Sequence, residues 1–234
     1  MSKTTPENIF KQPVAVWAIA FACAVSFMGI GLVDPILPAI SRELDASPTQ
    51  TMLLFTSYLL ITALAMFFSS FISSRIGVKQ TLLAGLALIV VFAFLSGAAG
   101  SVDAIIGFRA GWGLGNALFI STALAAIVGA ASGGPSQAVI LYEAAMGIGM
   151  AVGPLVGGVL GEISWRGPFY GTAALMAVGF LAIAALLRKP AKKPEPVSFV
   201  AGFKALREPA LLTLGAVAFF YNYGFFTLLA YSPY

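Results

Sequence analysis

Three ionisable residues stand inside long apolar runs: Asp34, Arg109 and Glu143. A charge at membrane depth is expensive, so each is a functional candidate by default. Asp34 and Arg109 each lie about six residues from the same end of their runs, roughly 9 Å deep at 1.5 Å per residue. At equal depth on neighbouring helices, a carboxylate and a guanidinium lower one another's cost. A proton arriving on Asp34, or a cationic ligand competing for it, would loosen such a pair. That is chemistry for exchanging protons against a substrate. Arg109 stays charged at any working pH, so its part is to set the pKa of a nearby carboxylate. Plainer readings stand beside these: Asp34 as a local cap before Pro35, and Arg109 as a bond to backbone carbonyls between helices. Glu143 belongs to the opposite depth, where it is a second titrating group, a contact for cations, or a snorkelling side chain.

The composition sets the medium in which these residues work. Hydrophobic residues make up 59% of the 234 and charged residues 9%, with a mean hydropathy of +0.95. A soluble domain is about a quarter charged, so this is an integral membrane protein. The absence of His removes His-metal sites, Ser-His-Asp triads and His proton relays. No nucleophile–base pair or metal-ligand cluster stands out, so neither an enzyme nor a resident cofactor is expected. The single Cys23 allows no internal disulfide and reads as a small packing residue. The pI of about 9.3 comes from basic residues beside apolar runs, which implies membrane orientation rather than nucleic-acid binding. The polar start, MSKTTPENIFKQP, is not built like a signal peptide.

Runs long enough to span a bilayer recur seven times, near 14–40, 49–73, 80–99, 103–131, 137–162, 168–187 and 210–231. Ser47-Pro48-Thr49-Gln50 predicts a capping box with Pro at the first helical position. Pro13, Pro168 and Pro209 mark other starts. With the N-terminus cytoplasmic, the inner segments hold ten basic residues: Lys3, Lys11, Arg75, Lys79, Arg188, Lys189, Lys192, Lys193, Lys204 and Arg207. The outer loops hold only Arg42 and Arg166. This bias predicts an N-in, multi-pass protein of the plasma membrane. Within the basic linker 188–209, residues 197–206 are expected either as a short amphipathic helix on the membrane surface, through Phe199 and Phe203, or as a solvated tether.

Gly149, Gly153, Gly157 and Gly161 recur every fourth position around Pro154 and Gly158. In water Gly costs about 1 kcal/mol and Pro about 3 relative to Ala in a helix. In lipid, the same spacing makes a smooth face for a close neighbour, and the proline a tolerated bend. Gly107, Gly111 and Gly115 repeat the spacing, with Gly113 and Asn116 beside them. Phe55, Tyr58, Trp112, Phe119 and Tyr142 line a pocket or simply pack. Ser74-Arg75-Ile76-Gly77 and Ser164-Trp165-Arg166-Gly167 echo one another after the second and fifth spans, a sign of inverted repeats. Tyr231-Ser232-Pro233 likewise echoes Val33-Asp34-Pro35.

At these residues the chain resembles the major facilitator superfamily, in particular its drug:proton antiporters. Gly149-x3-Gly153-Pro154-x2-Gly157-Gly158 is similar to the fifth-helix antiporter motif. Phe108-Arg109-x3-Gly113-x-Gly115-Asn116 resembles the fourth-helix motif, whose arginine the family links to proton coupling. Asp34-Pro35-x2-Pro38 resembles the end of the first helix in multidrug members. The loop after the second helix departs from the pattern: Ser70-x3-Ser74-Arg75-x-Gly77-Val78-Lys79 lacks an acid and one base, although Arg75, Gly77 and Lys79 remain as inner-loop gate candidates.

The resemblance implies an all-α membrane fold. A six-helix N-terminal bundle with inverted 3+3 repeats is expected over 1–187, a cytoplasmic linker over 188–209, and the first helix of a second bundle over 210–234. The implied function is proton-coupled efflux of small hydrophobic, cationic molecules, driven by a proton gradient without another cofactor. The glycine run would then face the mostly missing second half, and the chain alone is expected not to transport. The alternatives are a metabolite or sugar exporter on the same fold, and a non-transporting membrane scaffold.

Overall fold

The computed structural model describes residues 11–188, 196–205 and 207–231, and every regular element among them is helical. Lys3, Lys189, Lys192, Lys193, Leu206, Ser232 and Pro233 lie outside the described residues. The first apolar run does not form one helix. α1, Val14–Gly31, gives way to a 3-10 turn, Asp34–Ile36, and then to α2, Leu37–Glu43. Pro35 and Pro38 have no amide hydrogen, and their rings crowd the preceding turn. The chain is tied locally instead, by Leu32 N–H to Met28 O and Ile36 N–H to Val33 O, both 3.1 Å.

The capping box forms as the sequence predicts and opens α3, Pro48–Ile76. Ser47 Oγ accepts from Gln50 N at 3.3 Å, and Ser47 N donates to Gln50 Oε1 at 3.0 Å. Gln50 Nε2 also reaches Asp103 Oδ1 at 2.9 Å, tying this start to that of α5, Val102–Ala130. Between them, α3 reverses into α4, Val78–Ala98, on Gly77 alone, whose φ of +95° favours a residue without Cβ. After α5 follow α6, Gly134–Ile163, and α7, Gly167–Leu186. The six helices α1 and α3 to α7 are long and apolar enough to cross a membrane.

The linker yields a helix of five residues, α8, Ala201–Ala205. Phe199 and Phe203 are 53% and 47% exposed. They stack on aromatic residues of α3. α9, Pro209–Tyr231, has 23 residues, about 34 Å at 1.5 Å per residue and enough for a bilayer core. Its described side chains are exposed along its whole length, Phe220 and Tyr221 by 70% and 73%.

The helix pairing has an internal symmetry. α1 packs on α6 and α5 packs on α3, while α4 and α7 pack on one another. Exchanging α1, α3, α4 for α5, α6, α7 leaves this pattern unchanged, as an inverted repeat requires. Two basic residues seal the α4·α7 pair reciprocally. Lys79 Nζ, from the first turn of α4, donates to Ala184 O (2.7 Å) and Leu187 O at the end of α7. Arg166 Nη1, from the start of α7, donates to Gly97 O (2.5 Å) and Ala99 O (2.7 Å) at the end of α4. Each cation satisfies terminal carbonyls and meets the negative end of a helix dipole.

Candidate functional site

Arg109 is fully buried between α3 and α5. Its Nε donates to Leu54 O at 2.6 Å. Its guanidinium lies 4.8 Å from the Tyr58 ring centroid, 5.3 Å from that of Trp112 and 6.0 Å from that of Phe55. A desolvated guanidinium over aromatic faces gains about 2 kcal/mol or more per good contact, which offsets part of its burial. The three rings sequence reading left between pocket and packing therefore share one task, cradling a permanent cation. Tyr58 and Trp112 meet edge to face at 6.1 Å, which fixes their planes around it.

A hydrogen-bonded chain extends from this cradle across three helices. Ser26 Oγ of α1 donates to Asn116 Oδ1 of α5, and Asn116 Nδ2 donates to Tyr58 Oη of α3 at 2.6 Å. One helical turn along, Thr62 Oγ1 lies 2.7 Å from Tyr58 O and 3.1 Å from Gly113 O. Ser26, Tyr58, Thr62 and Asn116 are all buried. The seam closes this tightly because position 113 is glycine: a Cβ there would fall 2.5 Å from Tyr58 O. Ser26 and Thr62 are functional neighbours that sequence reading missed. The four-residue spacing of Tyr58 and Thr62 puts them on one helix face and was the available signal; for Ser26 there was none.

Asp34 opens the 3-10 turn where α1 breaks. It is thus at a helix end and not inside a continuous span; its side chain lies outside the described residues. Glu143 sits exposed on α6, with no hydrogen bond among the described residues, whereas its neighbour Tyr142 is buried and meets Phe27 edge-on at 5.9 Å.

The glycine run faces a different partner from the one expected. Its surface meets α1 in the same bundle. A Cβ on Gly149, Gly153 or Gly157 would collide with the carbonyl oxygens of Ala24, Met28 and Leu32 in turn, at 2.7 Å for Gly153 and 2.5 Å for Gly157. A Cβ on Gly161 would meet Ile36 Cγ2 at 2.5 Å. The matched four-residue steps, 149–153–157 against 24–28–32, let the two backbones touch along two turns. Pro154 lies within an uninterrupted α6 and its ring abuts Gly31. Gly158 has open space around it. What α6 presents outward is Ile148, Leu155, Val159 and Ile163, each 60% exposed or more.

The inner-loop gate candidates divide. Gly77 makes the turn, and Lys79 is engaged with α7. Arg75 is exposed, with its guanidinium 5.0 Å from the Phe71 centroid. A cavity of about 540 Å³ opens at this basic end, lined by Pro13, Val14, Lys79, Ala126, Gly129 and Arg188 among others. It is 17 residues along α5 from Arg109 to Ala126, about 26 Å, so the cavity is separate from the cradle. Among the described residues there is no cluster of His, Cys, Asp or Glu able to hold a metal.

Residues 19–234 match the sequence pattern of the Major Facilitator Superfamily. The chain is 58% identical to the multidrug efflux protein YfmO of Bacillus subtilis over its whole length, which is 60% of that protein. It is 33% identical to the tetracenomycin C resistance and export protein of Streptomyces glaucescens over 69% of the chain and 32% of that protein. It is 27% identical to the quinolone resistance protein NorA of Staphylococcus aureus over 85% of the chain and half of that protein. Among solved structures, a peptide transporter POT in complex with sulfate superposes with a TM-score of 0.71 at 17% identity, over 98% of this chain and 49% of the other. That likeness concerns the fold. The chain spans less than two thirds of the length of these curated relatives.

Proposed function

The chain belongs to the major facilitator superfamily, and on that premise we propose that it serves proton-coupled efflux of small hydrophobic, cationic molecules. The observation that carries this reading is Arg109, a cation that cannot lose its charge, buried in an aromatic cradle within a family whose similar members export drugs. A fixed charge of this kind costs several kcal/mol to bury and holds a nearby carboxylate in its ionised form. Asp34 is the carboxylate assigned that role, on the matched depth of the two residues. Protonation of Asp34 releases its hold on Arg109, and a cationic substrate competes for the same carboxylate, so proton and substrate occupy the site in alternation. Glu143, on the exposed face of α6, is a secondary acid.

The basic end of the bundle is assigned to the cytoplasm, because Lys and Arg gather there. Transport is assigned to this bundle working against a second one, as alternating access requires two bodies. The exposed apolar lengths of α6 and α9 support that. Efflux by residues 1–234 alone in sealed vesicles would remove the need for the second body.

The test is efflux of a lipophilic cationic dye from cells carrying a two-bundle protein that contains this chain, measured across external pH. Asp34→Asn should abolish the pH dependence, and Arg109→Ala should abolish efflux. Unchanged pH dependence in Asp34→Asn overturns the proton role. An uncharged polar solute that outcompetes the dye points to metabolite or sugar export instead.

A further inference from the structure

The basic end of α3 carries three half-buried rings, Phe67, Phe68 and Phe71. The linker is seated on them. Phe203 stacks on Phe67 with centroids 5.1 Å apart and 7° between planes. Phe199 stacks on Phe68 at 4.7 Å and meets Phe71 edge-on at 5.4 Å, and Phe203 also touches Phe68 at 6.0 Å. The backbone joins in: Val197 N donates to Ser74 Oγ at 3.0 Å, while Ser74 Oγ itself donates to Phe71 O at 2.8 Å. A Cβ on Gly202 would come 3.0 Å from Phe67 O, so the linker lies against the backbone of α3 and not merely against its side chains. Arg75 covers the remaining face of Phe71.

Two features show why this is a built seat and not a chance contact. The phenylalanines of α3 fall at 67, 68 and 71, one face of a helix, and those of the linker at 199 and 203, one turn apart on a matching face. Ser74 stands at the centre of the polar contacts. A hydroxyl there both donates and accepts in the bonds just described, whereas a carboxylate cannot donate to Phe71 O and would sit desolvated among rings.

We infer that residues 197–203 form an aromatic clasp whose receptor is the basic end of α3, so that the linker is an anchored joint and not a tether. The consequence is mechanical. α9 begins at Pro209, six residues after Phe203, so the clasp restricts where α9 can enter. α3 is one 29-residue helix, and its other half holds Leu54, Tyr58 and Thr62, the residues that engage Arg109 and Gly113. From Leu54 to Phe71 is about 26 Å of continuous helix. A pull on the linker is thereby applied to the helix that cradles the buried cation. This inference does not depend on transport.

The experiment uses detergent-solubilised residues 1–234. Trypsin cutting after Lys204, which is exposed beside the clasp, tracks the fraction of linker that has opened. Phe199→Ala combined with Phe203→Ala removes four ring contacts and should speed that cut about tenfold. Ser74→Ala should speed it about threefold, the value of one hydrogen bond. An unchanged rate in the double variant overturns the clasp. A second measurement leaves all five rings in place: Ser74→Cys with Val197→Cys should join under mild oxidation, read by mass spectrometry of the fragments. Native Cys23 is buried and does not compete. Leu60→Cys with Val197→Cys, about four turns away, should join at least tenfold less. Equal joining of the two pairs, or joining of neither, also overturns it.

Discussion

Two seams of this bundle occupy equivalent places in its internal symmetry and are built from opposite chemistry. Where α6 lies on α1, glycines at 149, 153 and 157 press on carbonyl oxygens. Where α3 lies on α5, a single glycine, Gly113, grants the same closeness. The space beside it is filled by Arg109, Asn116, Tyr58 and Thr62 in a connected polar cluster. The dry seam is closed by backbone contact at glycines. The polar seam holds a charge and a hydrogen-bonded chain. One fold element, used twice, is thus built once from close backbone contact and once from buried polar groups.

The largest effect that would break this contrast is expected at the dry seam. Gly153→Leu drives a branched side chain into Met28 O, which cannot move without α1. Overpacking of this kind costs about 3 kcal/mol where the neighbour is backbone, and the variant should be lost from the monodisperse fraction on size-exclusion chromatography. A normally folded Gly153→Leu would show that the seam is loose. At the polar seam, Arg109→Lys keeps the charge but loses the bond to Leu54 O and the stacked geometry. A loss of about 2 to 3 kcal/mol is expected, read as a lowered melting temperature in detergent.

Asn116→Ala leaves Ser26 and the Tyr58 hydroxyl without their shared partner, at about 1 to 3 kcal/mol. Tyr58→Phe in the same background should then add less than it does alone, because the two side chains act as one unit; simple additivity would mean the chain is not connected. Thr62→Val is milder, about 0.6 kcal/mol, the typical value of a hydrogen bond between membrane helices. The smallest and sharpest test compares adjacent residues. Gly157→Ala should destabilise, since its Cβ lands on Leu32 O. Gly158→Ala has open space and should stabilise by up to about 1 kcal/mol through helix propensity. Equal effects at 157 and 158 would mean α6 is rotated from the orientation described.

Much of this was written in the one-dimensional pattern. Apolar runs of bilayer length can only be helices in lipid, since no other single segment satisfies its own backbone. Their starts at Ser47 and Pro168, and the burial of Arg109 in an apolar setting, follow from that. The four-residue glycine period announces a close neighbour. It does not say which, because α1 and a second bundle would both suit a smooth face, and the choice was settled by α1 carrying its carbonyls in the same four-residue register. Lys79 and Arg166 illustrate the same limit. Both were visible as loop cations, but reciprocal capping of α4 and α7 depends on those helices being antiparallel neighbours. Phe199 and Phe203 read as an amphipathic pair along the chain, and local amphipathicity does not tell that they also meet the rings of α3.

The sequence by itself determined that this is a helical membrane protein with a buried cation and a glycine-faced fifth span, since these properties depend on hydrophobicity and spacing along one chain. Only the tertiary structure decided which seam is dry and which is polar, and that Ser26, 90 residues from Asn116, joins Tyr58 beside Arg109. Such pairings depend on the rotation of each helix about its axis. Apolar helices that are hydrophobic all round carry no local signal for that rotation, and it is fixed by close packing between helices.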